Sequence, residues 1–491
     1  MMKKISTLAL AGLICWPGLA AADTDRVAEI ERQMTEMQRA FQAQMEAMQA
    51  EIANLKSQNE EISQEVAASS EAVSSRLASS AWTENINFGG EVIFRGYYLR
   101  NTWTFDDDFK ADDRDAFRLK GSLWANYQAT EDVNIKIQLT NQSWGEGAGV
   151  GDNNDNKVFL DNAYVNVKNF LGLPLEATLG RQNVIYGTGF VILDGQSQYG
   201  STSIYFDGIK LRWHLTDQMT LDGLYLKDRE NTPGHANRDD ITLSGLYFIN
   251  KECFFTGMRQ ELYVLNREDE SLGKDIWMYG ARLSDRFDNG IDYSLEGAIQ
   301  KGDARWDDLN NRTIDQDAYG LKLDAGYTFK NAAWKPRLYA NYSYLSGNKL
   351  DSDKNEQWDV FYGGWPQWGD LLAWRYLNVP PNNLSQVYST FADYSNVVGE
   401  AIYSNIQIVT LGASASLTPK LSANLSYSDL RFNQTNPGVS KDFGDYYQAT
   451  FRYQYTRNLS FSLYSALLDP GDAFVNDNNA AEVFWEAAYR F

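Results

Sequence analysis

Five stretches of this sequence place positively charged side chains on one face of a period-two pattern, opposite apolar ones. Arg118 and Lys120 share a face with Ser122, Trp124 and Asn126, while Phe117, Leu119, Leu123, Ala125 and Tyr127 share the other. Lys136 stands with Asn134, Gln138 and Thr140 against Val133, Ile135, Ile137 and Leu139. Lys210 and Arg212 alternate with Ile209, Leu211 and Trp213. Arg282 lies opposite Trp277, Tyr279, Ala281 and Leu283, and Arg452 stands with Gln448 and Thr450 against Tyr447, Ala449, Phe451 and Tyr453. A period of two is that of a strand. If the apolar face meets lipid, where Arg or Lys costs about 2–4 kcal/mol at the midplane, the cations must point inward. Their chemistry would then be electrostatic: an Arg- and Lys-lined passage favours anions. The acids Asp292, Glu296, Asp324 and Glu486 fall on the same inward faces, so a ladder of wall-bracing ion pairs is the competing reading.

Covalent chemistry has little to work with. The histidines are His214 and His235, and neither has a Ser or Cys partner at a readable spacing. There is no Gly-x-Ser-x-Gly elbow and no Cys-x-x-Cys-His haem motif. Gly151 to Asn156, GDNNDN, offers oxygen ligands but lacks the distal Glu of a calcium loop, and reads as a surface turn. No metal or cofactor is expected. A net charge of −21 excludes nucleic acid as a partner. Besides a membrane-embedded hydrolase, two classes remain: a channel, and an envelope tether whose pore is incidental.

The elements that would hold these residues are those of an exported barrel. Lys3 and Lys4 precede an apolar run, Ile5 to Leu19, and then Ala20 to Ala22, the pattern of a signal peptide over 1–22. Residues 23–66 carry an amphipathic seam through Val27, Ile30, Met34, Met37, Phe41, Met45, Met48, Ile52, Leu55, Asn59, Ile62 and Val66. It predicts a periplasmic coiled-coil helix about 60 Å long, with a four-residue stutter after Phe41. Such a seam self-associates into a homo-oligomer, or lies as a single helix on another surface. Residues 67–85 are Ser- and Ala-rich and read as a linker. From Ile86 to Phe491 the period is two, giving an all-β transmembrane barrel of about eighteen antiparallel strands. Tight connections (Thr130–Asp132, Thr216-Asp217, Asp288–Gly290, Thr418-Pro419, Arg457-Asn458) alternate with longer acidic ones near Asp106, Asp307, Asp353 and Asp472. That alternation is the sequence form of periplasmic turns and extracellular loops, in contact with outer-membrane lipid.

The chain ends EVFWEAAYRF, with Val483, Trp485, Ala487, Tyr489 and Phe491 spaced by twos. A strand running to the last residue leaves an open edge unless it pairs with the first strand. Tyr489 and Phe491 also resemble the C-terminal signature of bacterial outer-membrane proteins, which implies the barrel-assembly machinery as a partner. Three stretches are more specific. Gly180-Arg181-Gln182, Tyr186-Gly187 and Phe206-Asp207-Gly208 followed by Lys210 resemble the alginate export porin family, as does the tract DVFYGGWPQWGDLLAW. The resemblance implies an eighteen-stranded barrel with a cation-lined constriction passing an anionic polysaccharide, and adds Arg181 to the candidate lining. The coiled helix is not part of it and is more reminiscent of trimeric sugar and phosphate porins, so a trimeric diffusion porin is the alternative. Trp358, Trp365, Trp368 and Trp374 fall in one long loop, Leu350 to Ser395. Their rings either stack on sugars at the mouth or pack the loop on itself.

Overall fold

A strand in hydrocarbon has no water to bond its N–H and C=O groups, so it needs a neighbour on each side. The computed structural model describes Arg32 and residues 85–491, except 103, 111–112, 145–157, 194–204, 230–240, 254–256, 271–272, 308–311, 350, 364–367, 373–403 and 436. The expected signal peptide, the 23–66 helix and most of the linker therefore lie outside the described residues. Eighteen antiparallel strands meet the pairing demand. The first half is β1 (Ile86–Arg100), β2 (Arg114–Gln128), β3 (Val133–Trp144), β4 (Val158–Val167), β5 (Leu175–Gln182), β6 (Phe206–His214), β7 (Met219–Arg229), β8 (Ile241–Asn250) and β9 (Arg259–Asp269). The second is β10 (Lys274–Arg286), β11 (Ile291–Asp307), β12 (Arg312–Thr328), β13 (Arg337–Leu345), β14 (Ile406–Ser416), β15 (Leu421–Phe432), β16 (Asp442–Gln454), β17 (Leu459–Pro470) and β18 (Ala480–Arg490). Each pairs with its sequence neighbours, and β18 pairs with β1 to close the barrel.

The seam explains the terminal phenylalanine. The Gly90 N–H donates to the Phe491 carbonyl at 3.0 Å, and the Phe491 N–H donates back to Gly90 at 3.0 Å. The Phe491 ring lies over Gly90, where an added Cβ would come within 2.5 Å of it. Outside the wall, Tyr489, Ala487, Trp485 and Val483 register opposite Val92, Phe94, Gly96 and Tyr98. Burial confirms the sidedness read from alternation. Phe117, Leu119 and Leu123 are 56%, 44% and 62% exposed, whereas Arg118 and Lys120 are 6% and 2% exposed.

One expectation is corrected. Asp307 does not sit in a long loop: it ends β11, and only residues 308–311 join that strand to β12. Both strands are 17 residues long, well beyond the roughly 9–11 a membrane requires, so this side is raised by strand rather than by loop. Nor is the lumen uniformly polar. Inward residues of β7 to β10, among them Leu226, Leu243, Tyr247, Leu265 and Met278, are buried in one apolar cluster with Val191, Ile192, Phe361 and Tyr362. These last four belong to the β5–β6 and β13–β14 connections, whose described parts reach into the barrel and pair through a parallel bridge, Ile192 to Tyr362. Where both faces of a strand are apolar, period two vanishes from the sequence.

The glycines of the family-like stretches let neighbouring strands approach closely. Gly180 and Gly208 are paired across β5 and β6. A Cβ on Gly208 would lie 2.2 Å from the Tyr225 carbonyl oxygen and 2.9 Å from the Leu226 Cα, and backbone cannot step aside as a side chain can. Gly208→Ala is expected to destabilise the barrel by about 1–3 kcal/mol, the usual cost of overpacking. Heat-dependent mobility of the folded protein in detergent gels measures this; an unshifted transition would contradict it.

Candidate pore and its charged lining

The candidate cations are inward with one exception, and most are engaged. Arg118 Nη2 donates to Gln142 Oε1 at 2.6 Å. Lys120 pairs with Glu91 at 3.6 Å. Lys136 is half-buried on the β3 face. Arg212 grips Asp222 through Nε and Nη2, both at 2.7 Å, and the Tyr186 hydroxyl donates to the same carboxylate at 2.6 Å. Arg282 donates to Glu261 at 2.9 Å and to Ser294 at 3.1 Å. Lys210 and the exposed Arg452 have no ion-pair partner among the described residues. Of the two readings left open by the sequence, wall bracing describes Arg212 and Arg282, while Arg452 lines open space.

Arg181 is the exception and is corrected. It pairs in register with Asp207, one step from Gln182 and Phe206, which face the barrel interior. Its neighbours on its own face are Leu179 and the exposed Ile209, so it points outward. Both its nitrogens Nε and Nη2 bind Asp207, at 2.8 and 2.7 Å. A bidentate pair of this kind tolerates the outer face because each charge cancels the other near the rim.

The β13–β14 connection decides how much of the lumen is left. Asp359 receives Arg267 at 3.1 Å and Lys274 at 2.7 Å, and its backbone exchanges hydrogen bonds with Gln300. Burial works to raise its carboxyl pKa, but Lys274 and Arg267 outweigh it and hold the group below the ordinary range. Asp370, further along, meets Arg95 on the opposite wall at 3.2 Å. Burial pushes the Asp370 carboxyl up, and Arg95 and Arg118 offset that only in part. Trp358 is 2% exposed and stacked on Phe190 at 5.4 Å, so it packs the loop rather than facing a solute. Trp368 donates from Nε1 to Ser343 at 2.9 Å and lines the open space. Trp365 and Trp374 lie outside the described residues, as does His235.

Beneath this connection is a cavity of about 1120 Å³, reaching from Thr418, Ser460 and Arg490 at the turn side to Trp368 and Asp370. One side is a neutral wall of hydroxyls and amides, including Asn341, Thr410, Ser422, Asn424, Ser426 and Thr450. Of the candidate cations, Lys120 and Arg452 line it; Arg118, Lys136, Lys210, Arg212 and Arg282 do not. Arg95, Lys420 and Arg490 line it and were missed. Arg95 escaped notice because Ile93 and Tyr97 flank it on its own face, while Val92, Phe94 and Tyr98 fill the other. The neutral wall did carry a signal: Ser422, Asn424, Ser426 and Ser428 alternate with Ala423, Leu425 and Tyr427.

A closed antiparallel barrel with an apolar exterior, tight turns on one rim and a polar internal space is an outer-membrane channel for hydrophilic solutes. The chain belongs to the alginate export family, whose model matches residues 87–485. A search of curated proteins by sequence finds no match. Among solved structures, the chain is similar to Pseudomonas aeruginosa OccK8 (OprE), with TM-score 0.54 and 11% identity over 84% of this chain and 99% of that one. It is similar also to OccK2 (OpdF) of the same organism, with TM-score 0.54 and 12% identity over 83% and 98% of the two chains. OccK2 has further been solved in complex with glucuronate, a structure that matches with TM-score 0.50 at 12% identity over 83% and 98%. At these identities the likeness is one of fold.

Arg212→Ser should leave Asp222, which is 0% exposed, without its cation. Breaking one side of a buried pair costs about 3–5 kcal/mol. Folding yield and thermal stability should therefore fall for Arg212→Ser, and be restored in part by Arg212→Ser combined with Asp222→Asn; an unchanged single variant would contradict the bracing role.

Proposed function

We propose that the channel prefers anions and that its solute is a hydrophilic carboxylate, up to an anionic polysaccharide. One observation carries this. Around the cavity the charged lining residues are Arg95, Lys120, Lys420, Arg452 and Arg490 against Asp161, Asp370 and Glu486, five cations to three acids, in a chain of net charge −21. Glu91, behind Lys120 and Arg490, lowers the excess without removing it. Membership of the alginate export family and the fold shared with a glucuronate-bound relative support the same direction. Two further parts rest on sequence. The seam at 27–66 is a periplasmic coil that joins copies of the chain, which sedimentation of that segment tests. Tyr489 and Phe491 are the features offered to the barrel-assembly machinery.

The acidic outer connections, with Asp107 and Asp108 exposed, oppose entry of anions. Salt screens their field within about 8–10 Å at physiological strength, and charges set in a low-dielectric wall are screened less. The reversal potential of the reconstituted channel in a potassium chloride gradient should therefore report anion preference, sharper at moderate than at low salt. Arg452→Ser should weaken it without loss of folding. Cation preference of the unmodified channel at moderate salt would overturn the reading.

A further inference from the structure

Arg95 was not among the residues the sequence offered, yet it is the most constrained cation on the cavity. Its guanidinium lies 4.1 Å over the Phe484 ring. Nε and Nη2 both reach the Glu486 oxygen Oε2, at 2.9 and 2.5 Å, and Nη1 donates to the Tyr97 hydroxyl at 2.7 Å. Nη1 also meets Asp370 Oδ2, at 3.2 Å. The two carboxylates are not equivalent partners. Glu486 takes two nitrogens at short range and comes from the same wall, one strand away across the seam. Asp370 takes one nitrogen at longer range, comes from the in-folded connection, and is the more open of the two, with its side chain 20% exposed against 10% for Glu486. Arg95 and Asp370 meet where the cavity ends under the connection.

We propose that Arg95 is the residue that recognises a solute carboxylate, and that Asp370 is a built-in competitor holding that place until a solute anion displaces it. Phe484, Tyr97 and Glu486 fix the guanidinium, so the orientation of the site is set before binding. At Nη1 one carboxylate leaves and another arrives; Asp370 stays on the chain, its displaced carboxylate turning to the cavity it already borders. The Asp370 N–H approaches the Tyr464 hydroxyl at 3.2 Å, which keeps the competitor beside its site whether or not its side chain is engaged. An internal competitor lowers apparent affinity by the fraction of time it occupies the site. A channel gains from this, because a solute bound too firmly would not leave. The inference rests on the anion preference proposed above.

The test is block of single-channel chloride current by sodium glucuronate added from the turn side. Asp370→Asn and Asp370→Ser, which remove the competing charge, should each lower the half-blocking concentration roughly five- to tenfold, as expected if the site is free about a fifth to a tenth of the time in the parent. Asp370→Glu should keep the parent value. Arg95→Gln made together with Glu486→Gln should abolish the gain in an Asp370→Asn background. If the parent prefers cations by reversal potential, the anion reading and this inference fall together. If the parent prefers anions but both neutral variants block at the parent concentration, only this inference falls. If neither neutral variant folds, as judged by heat-dependent gel mobility, Asp370 is an anchor and the inference is likewise overturned.

Discussion

The constraint on which everything else depends is that no backbone polar group can go unbonded in the bilayer. It forces closure, and closure is completed by the reciprocal hydrogen bonds of Gly90 and Phe491. Once the wall is closed, each strand has one lipid face and one interior face, and the candidate cations are sent inward, with Arg181, neutralised by Asp207, as the exception. Inward cations could not share a narrow lumen without acids among them, so Glu91, Asp222, Glu261, Asp292 and Glu486 stand opposite. Most of the charge inside the barrel is therefore spent on the wall itself. Among the described residues that pairing leaves Arg452 without a carboxylate partner and Arg95 in a longer contact with Asp370.

The second consequence of closure is an interior too wide to be filled by wall side chains alone. The β5–β6 and β13–β14 connections occupy it on the β7–β10 side, and the apolar inward faces there are their counterpart. Water is left the other side, where β13 to β17 present hydroxyls and amides. Such groups donate and accept in turn and bind no solute firmly. They make a surface along which a hydrophilic solute can trade partners, and under the proposed anion preference the cations across the cavity favour its charge. Asp359 and Asp370 tie the β13–β14 connection to opposite walls and so set the boundary between the filled and open parts.

Much of this was legible in the residues. An outer-membrane location, the strand count, sidedness and the closing role of Phe491 follow from period two and from the alternation of turns and loops. The inward placement of Arg118, Lys120, Arg212 and Arg282 follows from the cost of a charge in lipid. Pairing does not, since alternation gives the face of a residue and not its neighbour across the lumen. Arg181 was misassigned because its motif suggested function where the geometry uses Gly180 and Gly208 for close strand approach and closes Arg181 on Asp207. Arg95 and the apolar interior of β7–β10 were hidden by the same effect: with apolar residues on both faces the period disappears, and only the in-folded connections explain why.

The central claim is that the open path is eccentric, along the neutral wall and away from the β7–β10 face. Single cysteines placed at Thr410, Ser426, Leu243 and Met278 test it most directly, because the native Cys253 is buried. A small water-soluble thiol reagent added to the open channel should react at Thr410→Cys and Ser426→Cys and reduce the current, while Leu243→Cys and Met278→Cys stay unmodified. Rapid modification and block at Leu243→Cys or Met278→Cys, with Thr410→Cys and Ser426→Cys inert, would contradict the account.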